Sequence, residues 1–261
     1  RTAGGVGICT ARDAGIAVTA LVASRNREDL LPGCLESLLA QTLQPIEILV
    51  IHGPGGSDWE AATPYRTDPR IRGVASLRPG LYAAWNAGIQ ESRGRYLCNV
   101  NSDDRLRPDA LAVMAAALDA HPEVCLVYGD SLVTTRPGET FAHNSSRGRR
   151  LSQPTYQPRV LLASCCCGPH PMWRRSVHAW AGVFDESYAI TGDYAFWLRL
   201  AERAPMLHLE ETLGLYLDHP QSLSHADPAR AFAERVRAMK SVLHRYRDII
   251  QQERVPLERL E

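Results

Sequence analysis

The chain lacks an excess of charge of either sign. Lys and Arg together number 29, and so do Asp and Glu, so there is no broad basic field to hold a nucleic-acid backbone, and nucleic acid is not an expected partner. Also missing are an apolar run long enough to cross a bilayer and a charged-then-apolar leader at the N-terminus. The expectation is a soluble, cytoplasmic chain without an integral membrane segment. Paired cysteines are lacking too: seven is an odd count, and Cys165, Cys166 and Cys167 are consecutive, which fits neither a disulfide framework nor a spaced zinc site. Those thiols are expected to be reduced and mostly buried. No repeat or low-complexity segment is visible.

What is present is an alternation of short apolar runs with helical periods. At 261 residues the chain can bury one α/β core with an appendage. The first fifteen residues are rich in Gly and Ala without periodicity and read as a loose lead-in or part of something longer. A domain over 16–226 and a helical tail over 227–261 follow. Ile16–Ala23 reads as a buried strand, and Leu30, Leu31, Cys34, Leu35, Leu38 and Leu39 recur at helical spacing. Ile46–Ile51 makes a second strand ending in the loop His52–Ser57, and Ile71–Ala75 a third. A helix then carries Leu81, Ala84, Trp85, Gly88 and Ile89 on one face. Strands alternating with helices of this length predict a mostly parallel sheet with ligands at the carboxyl ends of its strands.

The central strand is Tyr96–Val100, and Asp103 and Asp104 stand at its mouth. Two adjacent carboxylates there are costly to desolvate unless a hard divalent cation sits beside them; alternatively they cap the helix that Pro108 opens. Leu111, Met114, Ala115 and Leu118 face inward on that helix, and Val124–Tyr128 is a further strand. Thr134–Pro158 is polar and turn-rich, with Arg147, Arg149 and Arg150 clustered, and reads as a mobile lid or a solvated surface loop. Asp193 opens a helix whose Phe196, Trp197 and Leu200 turn inward, so its carboxylate is either a cap or a positioned base. In the tail, Phe232, Val236, Met239, Leu243, Tyr246 and Ile250 form a heptad seam, packing on its own domain or making a homodimer.

Several stretches together resemble the inverting glycosyltransferases of family 2 with the GT-A fold. They are Ser24–Arg27, Leu35–Thr42, Pro45–Val50, Gly80–Ile89 (GLYAAWNAGI), Asn101–Asp104 (NSDD), Gly182–Glu186 (GVFDE), Gly192–Leu200 (GDYAFWLRL) and Tyr216–Pro220 (YLDHP), in that order and spacing. The resemblance implies a GT-A-like α/β/α sandwich with a mixed, mostly parallel central sheet. It also implies a nucleotide-sugar donor and a divalent cation, manganese or magnesium, held by Asp103 with Asp104 and His219. Ser24, Asn26, His52, Arg78, Asn86, Asn101 and Ser102 fall on the donor side, and Asp193 at the general base. The acceptor is unspecified. Two positions depart from the pattern: Asn101 stands where the acidic motif has its first acid, and His52 where the second strand usually ends in Asp. A catalytically silent sugar-nucleotide binder of the same fold is therefore a rival reading. A sugar nucleotidyltransferase is a weaker one, because Ser24–Arg27 lacks the glycines of a phosphate loop.

Overall fold

The computed structural model describes residues 15–252 apart from 55, 56, 221, 223, 224 and 226. The expected lead-in, but for Gly15, and the tail beyond 252 lie outside these residues. So do Gly55 and Gly56 of the loop after the second strand. The described strands form one nine-stranded mixed sheet. β1 (Val18–Ser24) pairs in parallel with β2 (Ile46–His52) on one side and with β4 (Tyr96–Asn99) on the other, and β2 pairs in parallel with β3 (Ile71–Ala75). The chain therefore runs outward from β1 to β3 and returns across β1 to β4. That reversal places a crevice at the carboxyl ends of β1 and β4, where open α/β sheets bind ligands.

Beyond β4 the sheet turns antiparallel. β8 (Met172–Arg174) lies between β4 and β6 (Leu126–Thr134), antiparallel to both. β9 (Met206–Leu217) runs parallel to β6, with register shifts between Gly129 and Ser131. Two-residue strands complete the sheet, β5 (Arg105–Leu106) on β9 and β7 (Arg150–Leu151) on β6. The polar segment after Thr134 is thus pinned partway along. Glu139 also closes one of its turns, accepting the Ser145 amide at 2.9 Å.

Alternation along the strands divides the core into two layers. Val18, Ala20 and Val22 face Leu31, Leu35 and Leu38 of α1 (Leu31–Leu39) and Leu111, Met114 and Leu118 of α4 (Ala110–Ala120). Leu21, Leu49 and Ile51 face the other way, toward Tyr82 and Trp85 of α3 (Leu81–Glu91) and Trp197 of α7 (Gly192–Ala201). Three short helices complete the connections, α2 (Asp58–Ala61), α5 (Pro158–Ala163) and α6 (His178–Ala181). The six described cysteines are free, and Cys165 is exposed rather than buried.

The tail is one helix, α8 (Pro228–Gln252), packed on α7 and α5. Its buried line is Glu234, Ala238, Val242 and Tyr246, and the Tyr246 hydroxyl donates to the Leu198 carbonyl at 2.9 Å. This corrects the expected seam. Phe232 is 67% exposed and Leu243 41%, so of the heptad set Tyr246 alone is fully buried. The inward stripe is rotated away because small Ala238 allows close approach and Glu234 finds backbone donors. On α3 the inward face is likewise Tyr82, Ala83, Trp85, Asn86, Gly88 and Ile89, while Leu81 and Ala84 are only partly covered.

Candidate active site

The loop after β1 is organised by Asp58, a residue the motif reading passed over. Its carboxylate, 2% exposed, accepts the Ser24 hydroxyl at 2.7 Å and the amides of Asn26 and Arg27 at 2.9 Å each. Asn26 takes a left-handed backbone (φ 56°), a conformation Asn tolerates better than most residues. One carboxylate thus spends the Ser24 hydroxyl on shaping the loop. The available signal was Ser57-Asp58 opening a short helix directly after the Gly-rich loop. His52, at the end of β2, stacks on Trp59 with ring centroids 5.8 Å apart and planes 7° apart. Its Nδ1 stands 3.0 Å from the Gly53 carbonyl; a proton donated there leaves Nε2 as an acceptor.

The acid turn separates its two carboxylates. Asp104 is fully buried and its oxygens are occupied: the Asn101 side-chain amide donates at 3.0 Å and the Leu217 amide at 3.1 Å. His170 Nε2 lies 3.3 Å from the same carboxylate. Asp103 is more open, at 19% side-chain exposure, and its Oδ2 is 3.1 Å from His219 Nε2. Burial first, and then the neighbouring Asp104 charge, push the Asp103 carboxyl above its ordinary range, partly offset by His219. Beneath the turn, buried Arg105 donates to the carbonyls of Ser102 (3.3 Å), Asp104 (2.7 Å) and Leu30 (3.1 Å). Ser102 is buried there as well. A hollow of about 240 Å³ lies beside the turn, lined by Arg27, Asp29, Leu30, Pro137, Leu217, His219 and Pro220. A larger one of about 590 Å³ runs along the outer edge of β3 and shares none of these residues.

The donor set at the turn fits a hard cation that takes most of its ligands from a substrate. Asp103 is an incompletely neutralised anion with an imidazole beside it. Among the described residues no cluster of three or more His, Cys, Asp or Glu could hold an ion by protein ligands alone. Few protein ligands plus phosphate oxygens and water is the usual arrangement for magnesium at a nucleotide.

Asp193 stands one residue inside α7. Its Oδ1 accepts the Tyr194 amide at 2.8 Å and the Tyr82 hydroxyl at 3.2 Å; Oδ2 has no hydrogen bond among the described residues. Burial raises its carboxyl, opposed by the Tyr194 amide and then by Tyr82. The amides just before the helix are taken by a different acid. Glu234 of α8 accepts Ala189 and Ile190 at 2.9 Å and Thr191 at 3.1 Å. Gly192 is required by contact: a Cβ there would lie 2.7–2.9 Å from the Tyr82 ring.

Arg78 and Asn86 meet on a third group. Asn86 is buried and joins α3 to the following motif, donating to the Phe184 carbonyl and Glu186 Oε1 at 2.9 Å each and accepting the Phe184 amide at 3.0 Å. Arg78, 64% exposed, pairs with the same Glu186 at 2.8 Å. Asn86 therefore clamps the Gly182–Glu186 loop, leaving Arg78 as the exposed member.

The sequence profile described as glycosyl transferase family 2 matches residues 19–179. The chain belongs to that family. Chondroitin synthase of Escherichia coli is 24% identical over 196 residues, covering 74% of this chain and 28% of that protein, so the chain spans under a third of this relative's length. Among solved structures, Staphylococcus aureus TarS 1-349 in complex with UDP superposes with a TM-score of 0.64 at 16% identity, covering 93% of this chain and 76% of that one. The mannosyltransferase PcManGT from Pyrobaculum calidifontis, in complex with GDP-Man and Mn2+, gives 0.63 at 18%, covering 89% and 70%. These likenesses establish the GT-A fold for this family member. No described helix is long and apolar enough to cross a membrane.

Proposed function

We propose that this family 2 chain moves a sugar from a nucleoside-diphosphate donor to an acceptor hydroxyl, with inversion at the anomeric carbon. The observation that carries the reading is the Asp103–His219 contact at 3.1 Å, just beyond the carboxyl end of β4 at the reversal of strand order. The solved neighbours bound to UDP and to GDP-Man with Mn2+ support a nucleotide-sugar donor. Asp103 and His219 would hold the cation, with Asp104 behind them; when bound, it supplies positive charge to a departing diphosphate. The loop shaped by Asp58 lies at the end of the crevice, where a base would meet His52 Nε2 and the backbone of Ser24–Arg27. The exposed Arg78 guanidinium can reach a phosphate.

Inversion requires one displacement. The acceptor oxygen bonds to the anomeric carbon while the bond to the diphosphate oxygen breaks, its electron pair leaving with the diphosphate. The acceptor proton passes to Asp193 Oδ2. Burial brings that carboxyl closer to working pH than an ordinary Asp, which improves it as a base. Calorimetry of UDP and GDP against the protein, with manganese and then with chelator, tests the donor half: affinity is expected to depend on the cation and to be lost in Asp103→Asn. Equal affinity with chelator would remove the metal from the scheme. Donor binding without turnover under any acceptor mixture would favour the silent binder, for which the changes at His52 and Asn101 speak.

A further inference from the structure

We propose that the outward face of α8 docks on an anionic lipid surface. Phe232 and Leu243 are the large exposed apolar residues of this helix, and Val236 and Met239 between them are only partly covered. Positions 232, 236, 239 and 243 return every three to four residues, so they form one stripe roughly 16 Å long at 1.5 Å per residue. The stripe borders the buried line of Ala238, Val242 and Tyr246, so it stands at the surface of the domain and not beneath it.

Charge selects the partner. The helix carries six Lys and Arg against two acids. Three of the cations are engaged on the protein: Arg230 with Glu234, Arg245 with Glu202, and Arg237 over the Tyr188 ring. Arg235, Lys240 and Arg247 are exposed, and none has an ion pair among the described residues. On the helical wheel Lys240 and Arg247 flank the apolar stripe on its solvent side, while Arg235 lies along its other edge, toward the buried line and near Cys165 and Tyr194. An apolar strip between cations lies flat at a headgroup boundary, with the side chains entering the acyl edge and the cations meeting phosphates. A second copy of this face would bring like charges together. A convex helix also offers no groove for a folded protein, whereas a fluid lipid surface moulds to it. The inference stands on α8 alone and holds whether or not the chain transfers a sugar.

The test is co-sedimentation of the full chain with vesicles of phosphatidylcholine, with and without phosphatidylglycerol, at low and high salt. The wild-type chain should partition at least about tenfold more strongly to the anionic vesicles, and less so at high salt. Phe232→Ser with Leu243→Ser should lose the binding, as should Arg235→Glu with Lys240→Glu and Arg247→Glu. Both variants change exposed side chains and should melt as the wild type does; if the serine pair unfolds, the charge-reversed variant decides. Equal partition to neutral vesicles, or variants that bind like the wild type, would overturn the proposal. So would a wild-type mass in solution of twice the monomer that the serine pair reduces to the monomer, or vesicle binding that appears only when residues 253–261 are removed.

Discussion

The Tyr82 hydroxyl joins two helices at one point: it donates to the Ile190 carbonyl at 2.6 Å and reaches Asp193 Oδ1 at 3.2 Å. The ring fills the space that Gly192 leaves open. An aromatic side chain on α3 thereby orients the carboxylate on α7, leaving Asp193 Oδ2 without a donor among the described residues.

Tyr82→Phe keeps the ring and removes the hydroxyl. Losing a bond of this kind, about 1–1.5 kcal/mol, should lower kcat about tenfold while the KM for donor holds. Since the hydroxyl helps hold the Asp193 carboxyl down, the acid limb of the kcat profile should move to higher pH. A kcat profile that overlays the wild type would leave Tyr82 as packing alone.

Asp193→Asn tests the base. The amides that precede α7 belong to Glu234, not to Asp193, so the variant should melt close to the wild type and still bind UDP or GDP. Turnover should fall at least about a hundredfold, since an amide cannot take the proton. Retained turnover would move the search to Asp130 or Asp185. Asp130 is the less promising, because its Oδ1 already accepts the Gln153 amide at 2.9 Å and meets His208 Nε2 at 3.0 Å.

Glu234→Gln should loosen α8 and the start of α7 together. Three backbone amides and Arg230 hold this carboxyl down at about 2 against burial. Its folded-state value is depressed, so its contribution is complete above the unfolded value near 4.5 and disappears as pH falls through about 2. The charge-assisted bonds should contribute about 2 kcal/mol, lowering the melting midpoint by roughly 4–8 °C near neutral pH. Melting curves from pH 7 down to 2 should show the variant and the wild type converging in acid. A gap independent of pH would mean that shape rather than charge is what matters.

Gly33→Ala probes the floor of the acid turn. A Cβ at this position would collide with the Arg105 guanidinium, which holds the carbonyls of Leu30, Ser102 and Asp104. Overpacking of this sort costs about 1–3 kcal/mol, and manganese-dependent binding of UDP or GDP should weaken along with stability. A variant with lowered stability but unchanged cation dependence would detach Arg105 from the site.

Local pattern was enough for much of the scaffold. The runs at β1, β2 and β3 and the inward set Leu111, Met114, Ala115 and Leu118 on α4 lie where the periodicity places them, because an uninterrupted apolar run or a clean helical period admits one burial pattern. Two adjacent acids after an apolar strand, and Asp193 before Phe196 and Trp197, could be read locally as caps or as site candidates; the resemblance to the family, not the local pattern, singled out Asp103 and Asp193. The strand β9 was not legible: Glu210 and Glu211 interrupt its alternation, and it exists because β6 supplies a partner from Leu126 to Thr134.

What only the tertiary structure decided is where polar groups find distant partners. The sequence by itself determined that α8 is amphipathic, but not which of its faces turns inward. A buried Glu is costly unless donors meet it, and the three amides that meet Glu234 come from residues more than forty positions away. Asp58 is similarly placed by Ser24, Asn26 and Arg27. Asn101 and the Leu217 amide occupy Asp104 and leave Asp103 the more open acid. Hydrophobic periodicity is a property of neighbouring residues and can be read along the chain. The satisfaction of a buried charge depends on groups that only the folded chain brings within 3 Å or so, a hydrogen-bond distance.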